Sequence, residues 1–153
     1  MVQNPPENFP RLTPYLTYKD AGAALDFLTS AFGFDEQLRM PGPDGAVSHA
    51  ELRYHDSVVM LGSPGPDAKS PKDLGGATVG IYLYVDDVDK HFEVAKQAGA
   101  TIIEEPTDKF YGDRSYTAED PEGHQWHFAQ HTVDLSEEEM AAAVDAMTKG
   151  EGP

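Results

Sequence analysis

Apolar and polar residues change period repeatedly along the chain, and each change predicts an element. Residues 13–18 (TPYLTY) read as a strand with Pro14 near its start or at an edge. Asp20 then supplies an N-cap, and Leu25, Leu28 and Phe32 recur at helical spacing until Gly33 ends the helix. A strand is predicted at 34–40, a turn at 41–45 (PGPDG), and a second strand at 47–53, where His49, Glu51 and Arg53 alternate with Ala50 and Leu52. A turn at 54–56 leads into a short strand at 57–61. Residues 63–77, rich in Gly, Pro, Lys, Asp and Ser, form the only internal linker.

The pattern then runs again. Residues 79–85 (VGIYLYV) read as a strand, Asp86 or Asp87 caps a helix with Val88, Phe92 and Ala95 on its buried face, and Gly99 ends it. A strand at 101–104 precedes a hairpin whose turn is Glu119-Asp120-Pro121-Glu122-Gly123. Alternation puts Trp126 and Phe128 on one face of the last strand, and Gln125, His127 and Ala129 on the other. Trp126 is therefore expected in the core. Beyond it, Ser136 and Glu139 make a capping box, with Leu135 and Met140 as its staple. The stripe Met140, Val144 and Met147 predicts a helix docked on its own domain, with a role in dimerisation as the alternative.

The two halves register at an offset of 67: Leu16 falls on Leu83, Asp20 on Asp87, His49 on Tyr116 and Met60 on His127. The expected fold is α+β, with two βαβββ modules in tandem forming a curved mixed sheet around a central cleft, plus a C-terminal helix. The implied segments are an arm at 1–11, modules at 12–62 and 78–132 joined by the linker at 63–77, and a helix and tail at 133–153.

Composition narrows the partners. Eleven basic against 27 acidic residues argue against nucleic acid and anionic membranes, which need cationic patches. No apolar run approaches the roughly 20 residues of a membrane span, and the polar, Pro-rich N-terminus has no signal-peptide core. The absence of cysteine fits a reducing cytoplasm, the expected location. Nucleophilic catalysis has little support, because there is no cysteine and no G-x-S-x-G elbow. Gly75-Gly76 lacks the Lys-Ser/Thr of a phosphate loop.

The twofold βαβββ plan, the segment from Asp20 to Gly33 and the motif DPEGHQWHF from Asp120 resemble the vicinal-oxygen-chelate superfamily, over about residues 12 to 132. That group contains glyoxalase I, extradiol dioxygenases and bleomycin-resistance proteins. FYGDRSYTAEDPEGHQW is similar in particular to its glyoxalase-related branch often labelled PhnB-like. The resemblance implies the fold and a homodimer. It also implies four metal-ligand positions, which strand register puts at Thr13, Met60, Gly80 and His127. Only His127 is a competent ligand. No cofactor is therefore expected, although His49 and Glu51, two apart on one strand, could join His127 in a displaced divalent-metal site.

The cleft is expected to be lined by His49, Glu51, Met60, Tyr82, Tyr84, Tyr116 and His127, with Phe110, Tyr111 and Arg114 from the loop before the hairpin. Each tyrosine could equally fill a core. Arg114 could clamp an anionic ligand or pair with Asp113, Glu119 or Asp120. Two functions follow. One is a metal-free protein binding a small, cationic aromatic compound, as the resemblance to bleomycin-resistance proteins implies. The other is a lyase, isomerase or dioxygenase using the displaced metal or an acid–base pair of His127 with Glu51.

Overall fold

The computed structural model describes residues 1–150. In the first module β1 (Tyr15–Thr17) is followed by α1 (Ala21–Phe32), β2 (Asp35–Pro41), β3 (Val47–Tyr54) and β4 (Ser57–Gly62). In the second, β5 (Gly80–Tyr84) is followed by α3 (Val88–Gln97), β6 (Thr101–Asp108), β7 (Asp113–Glu119) and β8 (Gln125–His131). The short α2 (Pro71–Leu74) lies between them, and α4 (Glu137–Thr148) follows. The strands make two four-stranded sheets, ordered β1-β4-β3-β2 and β5-β8-β7-β6. In each the first strand runs parallel to the fourth, and the other neighbours are antiparallel. The architecture is the α+β duplication that the sequence predicts.

Local chemistry explains the boundaries. The Asp20 carboxylate accepts from the Ala23 N–H and opens α1, and Gly33 closes it at φ 78°, a left-handed conformation that suits glycine. Asp87 opens α3 in the same way by accepting from Lys90. Within the predicted linker, Ser70 and Asp73 form a reciprocal capping box that starts α2 at Pro71. At four residues, that helix is too short for hydrophobic periodicity to reveal. β6 extends to Asp108, beyond the predicted end at Glu104, because an edge strand tolerates Pro106.

One core serves both modules. Leu25, Leu28 and Phe32 of α1, Val88, Phe92 and Ala95 of α3, and the inward rows of both sheets belong to a single buried cluster. The Phe32 ring sits 5.6 Å from Trp126 and 4.7 Å from Phe128, so the end of α1 packs on the sheet of the other module. All three rings are fully buried, each contributing about 1.5–3 kcal/mol by area. His91 of α3 is partly buried. It bridges the modules, with Nε2 donating to the Phe32 carbonyl at 2.8 Å and Nδ1 accepting from the Tyr116 hydroxyl at 2.6 Å.

The turn after β7 latches the halves together. The buried Asp120 carboxylate accepts from the Tyr18 hydroxyl (2.6 Å), the Trp126 indole N–H (3.1 Å), and the backbone N–H groups of Glu122 and His124. Glu122 reaches across to accept from the backbone of Lys19 and Asp20, and the His124 Nε2 donates to the Thr17 carbonyl. The motif from Asp120 to Trp126 is thus an intermodule clamp.

Two expectations are corrected. α4 has the predicted capping box, but it does not dock on its own domain: none of its residues is buried, and Met147 remains 57% exposed. Tyr116 lies in the core at 0% exposure and does not line the cleft. His127 aligns with Met60 at an offset of 67, but their hairpin partners Thr117 and Glu51 are 66 apart. A one-residue slip reverses the face of every side chain on a strand. On β7, then, Tyr116 joins Phe128 inside, and Thr117 joins His127 outside.

Candidate functional site

The side of each sheet turned away from the shared core carries its own row of polar and aromatic groups. On the first sheet, parallel register sets Tyr15 beside Met60, and antiparallel register sets Glu51 on the other side of Met60. The Tyr15 hydroxyl lies 3.1 Å from the His49 Nδ1, and the His49 Nε2 is 3.2 Å from Glu51 Oε1. The result is a hydrogen-bonded chain from an exposed phenol, through an imidazole, to a carboxylate.

On the second sheet Tyr82 pairs with His127, and their rings stack at 6.1 Å. Tyr82 and Tyr84 meet edge to face at 5.6 Å. Both hydroxyls donate to one oxygen of Asp113, at 2.7 and 2.9 Å. The other Asp113 oxygen accepts from the His131 Nδ1 at 2.8 Å, and the His131 Nε2 faces Asp134 at 2.8 Å. Burial pushes the Asp113 carboxyl up, but the bonds from His131, Tyr82 and Tyr84 outweigh it and hold the group below the usual carboxylate range. Tyr82 is raised by burial and by bonds to Tyr111 and Asp113, and Tyr84 chiefly by its bond to Asp113. His131 is raised by its two carboxylate partners, Asp113 first.

Within one chain, then, the expected lining residues form two groups. His49, Glu51 and Met60 share the first face; Tyr82, Tyr84, Tyr111 and His127 share the second, with Phe110 packed on Tyr111 at 5.1 Å. Contact between the modules runs chiefly through α1 and α3 on the opposite side. Arg114 is not a cleft residue. It pairs in register with Gln130, whose side chain accepts from the Val88 N–H on the α3 side, and it is bound to Asp89 (3.1 Å) and Asp108 (3.3 Å). A cavity of about 450 Å³ opens elsewhere, between β1, α2 and β5, lined in part by Tyr15, Leu16, Val79 and Ile81.

Sequence reading missed Asp113 and His131 as members of this hydrogen-bonded cluster. Asp113 was visible only as a possible partner for Arg114. Once the face of β7 is set by Thr117, the same alternation places Asp113 on the tyrosine side, opposite His131.

The donors do not suit a metal. Among the described residues, no three of His, Asp and Glu come together in a way that could hold a metal ion. The His127 Nδ1 is bonded to Thr117 at 2.9 Å. A side chain at Gly80 would start only 2.6 Å from the His127 Nε2, so the imidazole fills the space where a second ligand would stand. Met60 and Thr13 supply only a soft thioether and a neutral hydroxyl. His49 and Glu51 bond to each other on the other sheet.

The comparisons agree with the architecture. A family model described as Glyoxalase/Bleomycin resistance protein/Dioxygenase superfamily matches residues 10–128. Uncharacterized proteins of Mycobacterium tuberculosis and Mycobacterium bovis are 39% identical over 146 residues, covering 92% of this chain and 86% and 96% of those relatives. The crystal structure of TioX from Micromonospora sp. ML1 is 35% identical with a TM-score of 0.65, over 80% of this chain and 98% of that one. TnmS3, an antibiotic binding protein from Streptomyces sp. CB03234, superposes with a TM-score of 0.62 at 21% identity, over 78% of this chain and 93% of its own. At that identity the likeness concerns the fold.

Proposed function

The chain belongs to the glyoxalase/bleomycin resistance protein/dioxygenase superfamily, and we propose that it binds a small organic molecule without a metal. The observation that carries this reading is the place opposite His127: Gly80 offers no donor, and the imidazole occupies the gap. The exposed aromatic groups, Tyr15 on the first face and Tyr82, Tyr84 and Phe110 on the second, support it further, since such rings supply contact area at low conformational cost. The printed description of TnmS3 as an antibiotic binding protein gives a precedent on this fold.

The two faces do not close on each other within one chain. In this proposal two copies associate, and the first-module face of one subunit meets the second-module face of the other around the ligand. Exposed Tyr15, Met40, Tyr82 and Tyr84 give such a homodimer apolar surface to bury. A chain without cysteine needs no oxidising compartment, and the proposed setting is the cytoplasm. No helix among the described residues is long and apolar enough to cross a membrane.

Metal analysis of purified, untagged protein, followed by calorimetric titration with Zn²⁺, Mn²⁺, Ni²⁺ and Fe²⁺, tests the proposal. Substoichiometric metal and no saturable heat are expected. Stoichiometric metal that is lost in His127→Ala or His49→Ala would instead establish a displaced site and redirect the search to lyase, isomerase and oxygenase assays.

A further inference from the structure

Two features without a partner lie at opposite ends of β8. Beyond its end, α4 carries Met140, Ala143, Val144 and Met147 on one stripe, at i, i+3, i+4 and i+7. A helix of 12 residues is marginal in water unless its apolar face is covered. Yet α4 buries no residue, and Val144 stays 40% exposed. At the start of β8, Gln125 borders the cavity of about 450 Å³ between β1, α2 and β5. Leu16, Pro71, Leu74, Val79 and Ile81 supply its apolar walls, and Leu74 and Val79 are each 69% exposed.

Within one chain the two stay apart. The seven residues of β8 set the root of α4 about 20 Å from the cavity. That root is tied down. The N–H groups of Thr132 and Val133 donate to the Gly112 carbonyl at 2.9 and 3.1 Å, and the His131 Nε2 faces Asp134. No residue of α4 lines the cavity.

Charge indicates what fills it. The chain has 27 acidic against 11 basic residues, yet Lys69 lines the cavity and Lys72 stands beside it on α2. Neither lysine has an ion pair among the described residues. On α4, Glu137 precedes Met140 by three residues and so flanks the stripe, with Glu138 next to it. Neither glutamate is paired among the described residues. The cavity thus offers apolar walls with a cationic rim, and α4 offers an apolar stripe with an anionic end.

We infer that α4 of a second copy docks in this cavity. Its Met140, Val144 and Met147 stripe covers Leu74 and Val79, and its glutamates meet Lys69 and Lys72. Under twofold symmetry the exchange is reciprocal, two helices filling two cavities. The contact does not depend on the ligand reading above.

Because the chain has no cysteine, introduced thiols report this contact alone. Full-length chains carrying Val144→Cys are mixed under mild oxidation with chains carrying Leu74→Cys or Val79→Cys, and the disulfide-linked heterodimer is resolved by mass. At least one pair should link about tenfold faster than Val144→Cys with Ser30→Cys, an exposed control on α1, because docking raises the effective concentration of the thiols. Lys69→Glu with Lys72→Glu on the cavity chain should slow the linkage about tenfold, and Glu137→Lys with Glu138→Lys on the helix chain should restore it.

Rates equal to the control for both cavity positions would overturn the inference, as would charge reversals that leave the rate unchanged. A chain bearing Val144→Cys and Leu74→Cys together that closes an intrachain disulfide and stays monomeric would also overturn it, since the helix would then fill its own cavity. A readout without thiols is Val144→Glu, at a position where the fold is not threatened: far-UV circular dichroism should lose the signal of about one 12-residue helix, because an uncovered α4 frays. Unchanged helicity would show that α4 needs no cover and would refute the docking.

Discussion

Removing the Asp120 carboxylate should damage this protein more than any cavity of the same size. Asp120→Ala leaves two buried side-chain donors, the Tyr18 hydroxyl and the Trp126 indole N–H, without their only partner. Each buried orphan costs about 1–3 kcal/mol, so the pair alone predicts a loss of about 2–6 kcal/mol. The backbone N–H groups of Glu122 and His124 lose a bond as well. Against a typical domain stability of about 5–15 kcal/mol, the variant should be strongly destabilised or unfolded. The diagnostic is rescue. Tyr18→Phe in the Asp120→Ala background removes one orphan and should recover about 1–3 kcal/mol, whereas Tyr18→Phe alone is destabilising. Trp126 is the only tryptophan, so urea denaturation followed by its emission reads the latch directly. A loss under about 1 kcal/mol for Asp120→Ala, or strict additivity with Tyr18→Phe, would refute a coupled buried network.

Two further outcomes follow from single side chains. Burial holds the His91 pKa below 6.5, partly opposed by its bond to the Phe32 carbonyl, so the native state favours the neutral ring. Its contribution is present above 6.5 and is lost as pH falls through the lower folded value; His91→Gln should flatten a plot of Tm against pH on the acid side of 6.5, and an unchanged slope would assign that loss to other groups. Gly80→Ala would force a methyl against the His127 Nε2, so the His127 ring resonances should shift in NMR while the unfolding free energy falls by about 1 kcal/mol, the low end of the cost of overpacking, because the obstacle is a side-chain ring that can swing aside. A stationary His127 signal would contradict the close approach.

The fold was legible because its elements have strong local signals. Asp20 with Gly33, and Asp87 with the Val88, Phe92 and Ala95 stripe, specify their helices with no knowledge of the remainder of the chain. The Tyr116 error shows what a repeat cannot carry. An offset taken from β8 fails on β7, because antiparallel partners depend on the length of the intervening turn, which is longer in the second module than at His55 and Asp56. The candidate site was legible in part. His49 with Glu51, and Tyr82 with Tyr84, follow from alternation along one strand. Their union with Asp113 and His131 required the cross-strand register. The separation of the two faces was hidden for a different reason: it depends on α1 packing against α3, and an amphipathic stripe shows that a helix is buried without showing against which partner.

The clamp formed by Asp120, Glu122 and His124 also sets an order of assembly. The N–H groups of Lys19 and Asp20 wait for a carboxylate 103 and 102 residues downstream, and the Thr17 carbonyl waits for His124, 107 residues away. During synthesis at roughly 5–20 residues per second, the first module must stand open for several seconds after its last strand has emerged. Of its two edge strands, β1 is only three residues long and offers little backbone for stray pairing in that interval, whereas the seven-residue β2 is the edge left open to it. Closure then comes from one late turn, so a ribosome stalled before residue 120 would hold a half-built protein that no local rearrangement can finish.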